Sequence, residues 1–160
     1  MEFQTAQESY PPPSSMVPTI SVQRLLDTKG AKVWSIGPDE RVLGAVELMA
    51  EHHVGALLVM AADTLVGIIT ERDYARRVVL EQRASKDTPV RDIMTRKVTT
   101  VGPKHSLQDC MKLMTEGRFR HLPVVDKGKV VGVVSIGDVV KASLAHQNYL
   151  LDELERYIAG

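Results

Sequence analysis

The chain has 160 residues, with 20 basic and 20 acidic side chains and one cysteine, so its formal net charge is zero. This balance lacks the basic surplus of nucleic-acid-binding proteins, and a single cysteine excludes an internal disulfide framework. No apolar run approaches the roughly 20 residues that span a bilayer, and the first residues do not form a secretory signal. We therefore expect a cytoplasmic protein of one or two small domains, with no membrane or nucleic-acid partner.

The first 18 residues are polar and rich in proline. Because proline fixes φ and removes hydrogen-bond donors, residues 1–18 are predicted to form a disordered tail, which is either passive or a ligand for a partner. Residues 19–29 then predict a short helix. Ser21 or Thr19 would cap its start, and Gly30 would end it.

The rest of the chain contains the same pattern twice. Residues 67–73 and 132–138 each consist of glycine, two β-branched residues, a hydroxyl residue, two variable positions and aspartate. The offset is 138 − 73 = 65, and it also aligns residues 37–38 with 102–103 and residue 57 with 122, without a gap. A period this long indicates one supersecondary unit that is duplicated.

Each repeat predicts the order strand, helix, strand, strand, helix. Strands are expected at 33–36, 56–60 and 65–69, and then at 98–101, 121–125 and 130–134. Helices are expected at 39–53, with acids in its first turn, at 70–83, at 106–116 and from 135. Residues 126–129 predict a hairpin turn in which Gly128 takes φ > 0, and residues 90–94 predict a connecting turn.

The predicted boundaries are 1–18 for the tail, 19–83 for the first repeat with its leading helix, 84–143 for the second repeat with its connecting segment, and 144–160 for a C-terminal helix. The C-terminal helix is predicted from the roughly heptad spacing of Leu144, Leu151, Leu154 and Ile158 within residues 142–159. Its expected packing partner is either the core or a second subunit.

These paired motifs resemble a tandem pair of cystathionine β-synthase (CBS) domains, called a Bateman module, of the stand-alone bacterial type. The residues that carry the resemblance are Gly67-x-x-Thr70-x-x-Asp73, Gly132-x-x-Ser135-x-x-Asp138, the segment 120–126 and the segment 92–94. The resemblance covers about residues 20–143. It implies an α/β fold of two β-α-β-β-α repeats packed with pseudo-twofold symmetry, and association into a homodimer. It also implies two clefts for adenosine-containing ligands: AMP, ADP, ATP, NAD(H) or S-adenosylmethionine.

The hydroxyl residue and the acid of each motif have two interpretations. A hydroxyl residue followed three positions later by an acid is a helix capping box, which needs no ligand. The same carboxylate can accept hydrogen bonds from two ribose hydroxyls, while the hydroxyl and the first helical amides can bind phosphate. Gly67 and Gly132 would leave the strand bare where a ligand approaches. The two interpretations are compatible, since one side chain can serve both roles.

The resemblance further implies that each cleft takes its acid from one repeat and its adenine-facing wall from the other. The first cleft is expected to contain Thr70, Arg72, Asp73, Val98, Thr99, Phe119 and Arg120. The second is expected to contain Ser135, Gly137, Asp138, Val33, Trp34, Gly55 and Ala56, with Arg120 and His121 near the phosphates; Pro123 is also assigned to the nucleotide-binding set. Arg72 is either a phosphate ligand or a surface arginine, and Gly137 occupies its place in the second repeat, so the two clefts are expected to differ in affinity.

The histidines, the cysteine, three methionines and Trp34 give weaker signals than the repeated motif. The five histidines, His52, His53, His105, His121 and His146, lack metal-ligand spacing, and the pair at 52–53 is predicted to be a solvated helix end. Cys110, Met49, Met111 and Met114 are predicted to be core residues. Trp34 either stacks on adenine or is a buried or interface residue. Neither a Ser/His/Asp order nor a carboxylate pair is visible, so we predict no catalytic residue, no catalytic cofactor and no metal site.

The expected function is therefore that of a non-catalytic sensor, which binds an adenine nucleotide and regulates an unidentified protein partner through a population shift. An NAD(H) sensor is an alternative of the same class. A scaffold protein with vestigial clefts and a small nucleotide-processing enzyme are alternatives of other classes.

Overall fold

The computed structural model describes residues 20–159, so the predicted proline-rich tail lies outside the described residues. Helices are α1 (Val22–Lys29), α2 (Val42–His52), α3 (Glu71–Tyr74), α4 (Leu107–Gly117) and α5 (Ile136–Ala159). Strands are β1 (Ser35–Ile36), β2 (Ala56–Ala61), β3 (Thr64–Thr70), β4 (His121–Asp126) and β5 (Lys129–Ser135). A π-helical turn (Ala75–Val79) continues α3, and a 3₁₀ turn (Val90–Asp92) lies between the repeats. The predicted α/β fold of two repeats is confirmed.

The antiparallel strand pairs of the two sheets correspond residue by residue, although the first sheet has one strand more. In the first repeat β1 is parallel to β2 and β2 is antiparallel to β3, while in the second repeat β4 is antiparallel to β5. The β2–β3 register shifts between Val59 and Met60, and the β4–β5 register shifts between Val124 and Val125, 65 positions later. Residues 53 and 118, and residues 62 and 127, also form pairs with positive φ at this offset. The duplication therefore extends to bulges and turns, where backbone geometry is most specific.

The predicted strand 98–101 is wrong, because this segment makes only isolated bridges. In the first repeat the amide of Leu58 donates to the carbonyl of Trp34 at 3.1 Å, which joins β2 to β1. The residue that corresponds to Leu58 is Pro123, and proline has no N–H to donate to the carbonyl of Thr99. What remains is the bridge between Val101 and Val124, supported by the hydrogen bond from Val101 N to Pro123 O at 3.1 Å. One proline thus reduces a parallel strand pair to a single bridge.

Several helix predictions also need correction. The helix predicted for residues 70–83 is α-helical only through Tyr74 before the π-helical turn. Helix α2 has no acid in its first turn; the amides of Val42 and Leu43 instead donate to carbonyls of the connecting segment, Thr88 at 2.9 Å and Ser85 at 3.0 Å. Helix α5 runs without interruption through the predicted boundary at residue 144.

Other local predictions are confirmed. Ser21 caps α1 by accepting a hydrogen bond from Arg24 N at 3.2 Å, and Gly30 ends the helix with φ of 97°. Gly128 has φ of 77° in the β4–β5 turn, as the hairpin requires. Met49, Cys110 and Met114 are buried, as predicted. The core prediction for Met111 is wrong: this side chain is exposed, because the buried stripe of α4 follows residues 107, 110 and 114.

Each repeat has its own hydrophobic core, and each core is completed by a segment that precedes the other repeat. The core of the first repeat contains Val90, Ile93 and Met94, which lie in the connecting segment just before the second repeat. The core of the second repeat contains Val22, Leu25 and Leu26 of α1, which lies before the first repeat. The two repeats therefore exchange their leading segments.

A third cluster of apolar residues joins the two repeats. Its members include three pairs that the 65-residue offset relates: Val33 with Val98, Leu65 with Val130, and Ile68 with Val133. Equivalent residues meeting in one cluster are the expected signature of two units packed about a pseudo-twofold axis. This interface also forms the floor of the cavity described next.

Candidate functional site

A cavity of about 370 Å³ opens between the two repeats. Helix α1 and the segment after it contribute Lys29, Lys32 and Trp34; the first repeat contributes His53, Val54, Gly55, Ala56, Leu58 and Ile68; the second contributes His121, Val133, Ser135 and Asp138. The cavity therefore brings together Trp34, Gly55, Ala56, His121, Ser135 and Asp138 of the predicted second cleft. Among the other predicted members, Val33 lies in the interface cluster, and Arg120 and Gly137 are exposed and do not line the cavity.

Asp138 is positioned by its own helix and by a lysine from α1. The Ser135 amide donates to Asp138 Oδ2 at 2.9 Å, and the Asp138 amide donates to Ser135 Oγ at 3.2 Å, so the predicted capping box is present. Lys29 Nζ lies 2.6 Å from the same Oδ2 and also donates to Val133 O at 2.6 Å. Burial raises the pKa of Asp138, but hydrogen bonds from Lys29 and Ser135 outweigh it, and the pKa lies below its usual value. Asp138 is therefore an ionised acceptor at neutral pH.

His121 lies in the same cavity at the start of β4. Burial lowers the pKa of His121; the nearby Asp138 raises it, and Arg120 and Lys29 lower it further, for a net decrease. At neutral pH the imidazole is therefore largely neutral, with one nitrogen that donates and one that accepts a hydrogen bond.

Trp34 is half-buried at the cavity wall and already has partners for its ring. The ring stacks on His52, with centroids 3.4 Å apart and planes at 8°, and Lys32 Nζ lies 4.3 Å from the indole centroid. These contacts favour the interpretation of Trp34 as a packed residue over adenine stacking. They also correct the prediction for His52: it is half-buried and stacks on Trp34, so it is not simply a solvated helix end.

The acid of the first repeat has different surroundings. Thr70 donates to Asp73 Oδ2 from its amide at 3.0 Å and from its hydroxyl at 3.1 Å, and the Asp73 amide donates back to Thr70 Oγ1 at 3.1 Å. The hydroxyl of Thr95 donates to Asp73 Oδ1 at 3.3 Å. Arg72 is exposed, and its guanidinium donates to the carbonyl of Arg118 at 3.0 Å, so it reaches across to the second repeat.

The other residues predicted for the first cleft, and Pro123 of the nucleotide-binding set, lie in different surroundings. Val98 is buried in the interface cluster, Phe119 packs against the core of the second repeat, and Arg120 is exposed. Thr99 is half-buried, and Pro123 is buried within β4. A second, open cavity of about 630 Å³ lies nearby, and the sequence reasoning missed it. Basic residues dominate its lining, which consists of Arg77, Arg83, Arg91, Arg96, Lys97, Asp92, Met94 and Thr95.

Sequence reasoning also missed the lysines of the first cavity. Lys29 lies ahead of the first repeat, outside every recognised motif. The offset of 65 places it opposite Met94, in the segment 92–94 that carries part of the resemblance. Alignment of residues 27–29 with the segment 92–94 would therefore have drawn attention to Lys29.

Two general properties of the described chain bear on its chemistry. Within residues 20–159, no three His, Cys, Asp or Glu side chains are arranged to hold a metal ion. Over the same residues, no helix combines the length and the hydrophobicity that crossing a membrane requires.

Comparison with known proteins gives one consistent family. Over 136 residues the chain is 43% identical to the CBS domain-containing protein CBSX3, mitochondrial, of Arabidopsis thaliana, which covers 82% of this chain and 66% of the relative. It is 33% identical to the CBS domain-containing protein YhcV of Bacillus subtilis, covering 76% of this chain and 86% of the relative. A solved structure of a protein with CBS domains from Burkholderia ambifaria is 50% identical, with a TM-score of 0.78, and covers 80% of this chain and 96% of that one. The family model of the CBS domain matches twice, at residues 27–80 and 90–145, and the chain therefore belongs to the CBS-domain family.

Proposed function

We propose that this protein is a regulatory module that binds an adenosine-containing nucleotide (AMP, ADP or ATP) between its two repeats. The observation that carries the proposal is the position of Asp138, an ionised acceptor in a cavity to which both repeats contribute. CBS-domain proteins are typically regulatory. A CBS domain protein from Pyrobaculum aerophilum with the same fold, 24% identical with a TM-score of 0.67, is complexed with AMP.

The lining of the cavity suits the three parts of such a ligand. All hydrogen bonds that the structure describes for the Asp138 carboxylate fall on Oδ2, so Oδ1 is available for ribose hydroxyls. Leu58, Ile68 and Val133 form an apolar wall of the kind that adenine requires. The cationic side chains Lys29 and Lys32, with the imidazole of His121, would face the phosphate.

A ligand in this cavity would change the relative stability of the arrangements that the two repeats can adopt. Because the lining comes from both repeats and from α1, a nucleotide that contacts all three has a different affinity for each arrangement. That difference in affinity is the only source from which a signal to a protein partner can arise. The same reasoning holds for NAD(H), whose adenosine half would bind in the cavity.

The proposal is tested by thermal unfolding of the full chain with AMP, ADP, ATP, NAD, NADH and S-adenosylmethionine. A ligand at 100 times its dissociation constant should stabilise the fold by about 2.7 kcal/mol. Asp138→Asn should abolish the response. The matched control is Asp109→Asn, because Asp109 forms the equivalent capping box with Ser106 on α4 and does not line the cavity. A response that survives Asp138→Asn would contradict ribose binding at this acid.

The scaffold alternative has one specific observation in its favour. Helix α5 exposes a row of apolar side chains beyond the second repeat: Leu144, Leu150, Leu151, Leu154, Tyr157 and Ile158. A surface of this kind marks an interaction site. We infer that it joins two copies of the chain in a homodimer. If no adenosine compound stabilises the protein against unfolding, that result favours the scaffold function over the sensor function.

A further inference from the structure

The two acids of the repeated motif differ in one neighbour. In the first repeat, Ile68 exchanges backbone hydrogen bonds with Thr95, at 3.0 Å and 2.9 Å, and the Thr95 hydroxyl reaches Asp73. In the second repeat, the residue equivalent to Ile68 is Val133, and its carbonyl accepts instead from the side chain of Lys29. A neutral strand contact in one half of the molecule is thus replaced by a charged side chain in the other.

The ammonium of Lys29 is held in place but retains a donor. It has three N–H groups, and two of them serve Asp138 Oδ2 and Val133 O at 2.6 Å each. Lys29 also lines the cavity, and its side chain is 29% exposed. The third N–H is therefore available to a ligand in the cavity, and the ammonium has already lost much of its conformational freedom.

An anion is the ligand chemistry that this arrangement favours. The cavity lining contains Lys29, Lys32 and the carboxylate of Asp138, and the Glu71 carboxylate borders it at Gly55, where Oε2 would lie 3.7 Å from an added methyl group. The carboxylate in contact with Lys29 is that of Asp138, and it accepts one of the three N–H groups of the ammonium. The capping box fixes the orientation of the Asp138 carboxylate, in which Oδ2 accepts from Lys29 and Oδ1 is the other oxygen. A ribose hydroxyl and a phosphate oxygen can therefore be bound side by side without breaking the Lys29–Asp138 contact.

We propose that Lys29 is a specificity-determining residue of the Asp138 cavity, where it selects nucleotides that carry phosphate over the bare nucleoside. The inference rests on the proposed function and adds a residue from α1 to the binding set. The equivalent position in the first repeat is Met94, which has no charge to offer. Selection for phosphate by a lysine at this position is therefore a property of the second repeat alone.

The experiment is calorimetric titration of the full chain with AMP and with adenosine. Lys29→Met should weaken AMP binding about tenfold or more, the loss expected for one charge-assisted hydrogen bond, and should change adenosine affinity less than twofold. Lys29→Arg should restore most of the preference for AMP. Lys112→Met is the control for removal of an exposed lysine, since Lys112 lies on α4 outside the cavity.

Each other outcome has a distinct meaning. If Lys29→Met weakens AMP and adenosine equally, or neither, Lys29 is a structural partner of Asp138 and the inference fails while the proposed function stands. If Asp138→Asn leaves AMP binding unchanged, AMP does not bind at this acid and the inference fails. If the wild type binds none of AMP, ADP and ATP, the proposed function fails and this inference fails with it. A melting temperature recorded for each variant separates loss of binding from loss of folding.

Discussion

The sulfur of Met94 covers Gly67 so closely that the glycine has no room for a side chain. A methyl group on Gly67 would lie 2.7 Å from Met94 Sδ and 2.9 Å from the carbonyl oxygen of Thr95. The equivalent methyl group on Gly132 would meet only side-chain atoms of Leu26, the nearest at 2.7 Å. The prediction that Gly67 and Gly132 leave the strand bare for a ligand is therefore wrong, because the protein's own atoms cover both glycines.

We expect Gly67→Ala to lower the free energy of unfolding by about 1–3 kcal/mol, the usual range for overpacking. Gly132→Ala should lower it less, because a leucine side chain can move while a backbone carbonyl cannot. Gly44→Ala is the control: no atom lies within 4 Å of the added methyl group, and alanine is favoured over glycine inside helix α2 by about 0.5–1 kcal/mol. Urea denaturation measures all three. Equal losses at Gly67 and Gly132 would contradict this account.

The pKa of His121 predicts how stability depends on pH. Burial lowers this pKa below the usual value of 6.5, so the neutral imidazole is favoured by folding. Its contribution is fully present above pH 6.5 and is lost as the pH falls through the lower folded-state pKa. Asp138 behaves in the same direction at lower pH, since its pKa is lowered from 3.8 and its contribution disappears only in acid.

His121→Gln should therefore flatten the dependence of the unfolding free energy on pH between about 7 and 5, as chemical denaturation at each pH would show. His146→Gln is the matched control, because His146 lies on α5 and does not line the cavity. Unchanged curvature in His121→Gln would show that other groups dominate this range.

Cys110 is expected to be unreactive in the folded protein. It is fully buried, and burial, together with the nearby Asp109, raises the pKa of its thiol to about 12. The thiolate is the reactive form, so labelling by a thiol reagent at pH 8 should be slow and should become fast in denaturing urea. Because the chain has one cysteine, the fraction of chains that become labelled measures how much of the protein is unfolded. Rapid stoichiometric labelling without denaturant would contradict the buried position.

The exposed row of α5 predicts that the oligomeric state responds to single charges. Leu151→Glu and Leu154→Glu should shift the protein from dimer to monomer in sedimentation velocity, because a buried carboxylate without a partner opposes association. Both side chains are more than half exposed, so these changes should leave the fold of each copy intact. Asp152→Ala, at a neighbouring exposed position, is the control. A monomeric wild type at tens of micromolar would rule out this interface.

The fold could be predicted from the sequence largely because the same motif and the same order of elements occur twice, 65 residues apart. Each motif supported the other, and the repeat offset located strands, turns and helix starts. What failed was local and has physical causes. Pro123 has no N–H to pair with the segment at residues 98–101, and this loss matters only because the fold brings these two distant segments together. The first amides of α2 donate to carbonyls 42 and 46 positions further along the chain, at Ser85 and Thr88.

The candidate site could be predicted only in part. Asp138, Ser135, His121 and Gly55 follow from the motif and from the resemblance, since they lie at fixed places in each repeat. Lys29 and Lys32 do not, because their position depends on how α1 packs against the second repeat. The first cleft illustrates the same limit, for Val98 and Phe119 enter separate apolar clusters that no short motif encodes.

The exchange of leading segments means that this chain cannot be divided into two independent halves. A cut between residues 84 and 90 would leave the N-terminal fragment with α1 but without Val90, Ile93 and Met94 of its own core, and the C-terminal fragment without α1. Each fragment would expose an apolar groove that the other is shaped to fill. Neither should fold alone, and mixing should restore one native heterodimer. The two duplicated repeats are therefore expected to fold together rather than one at a time.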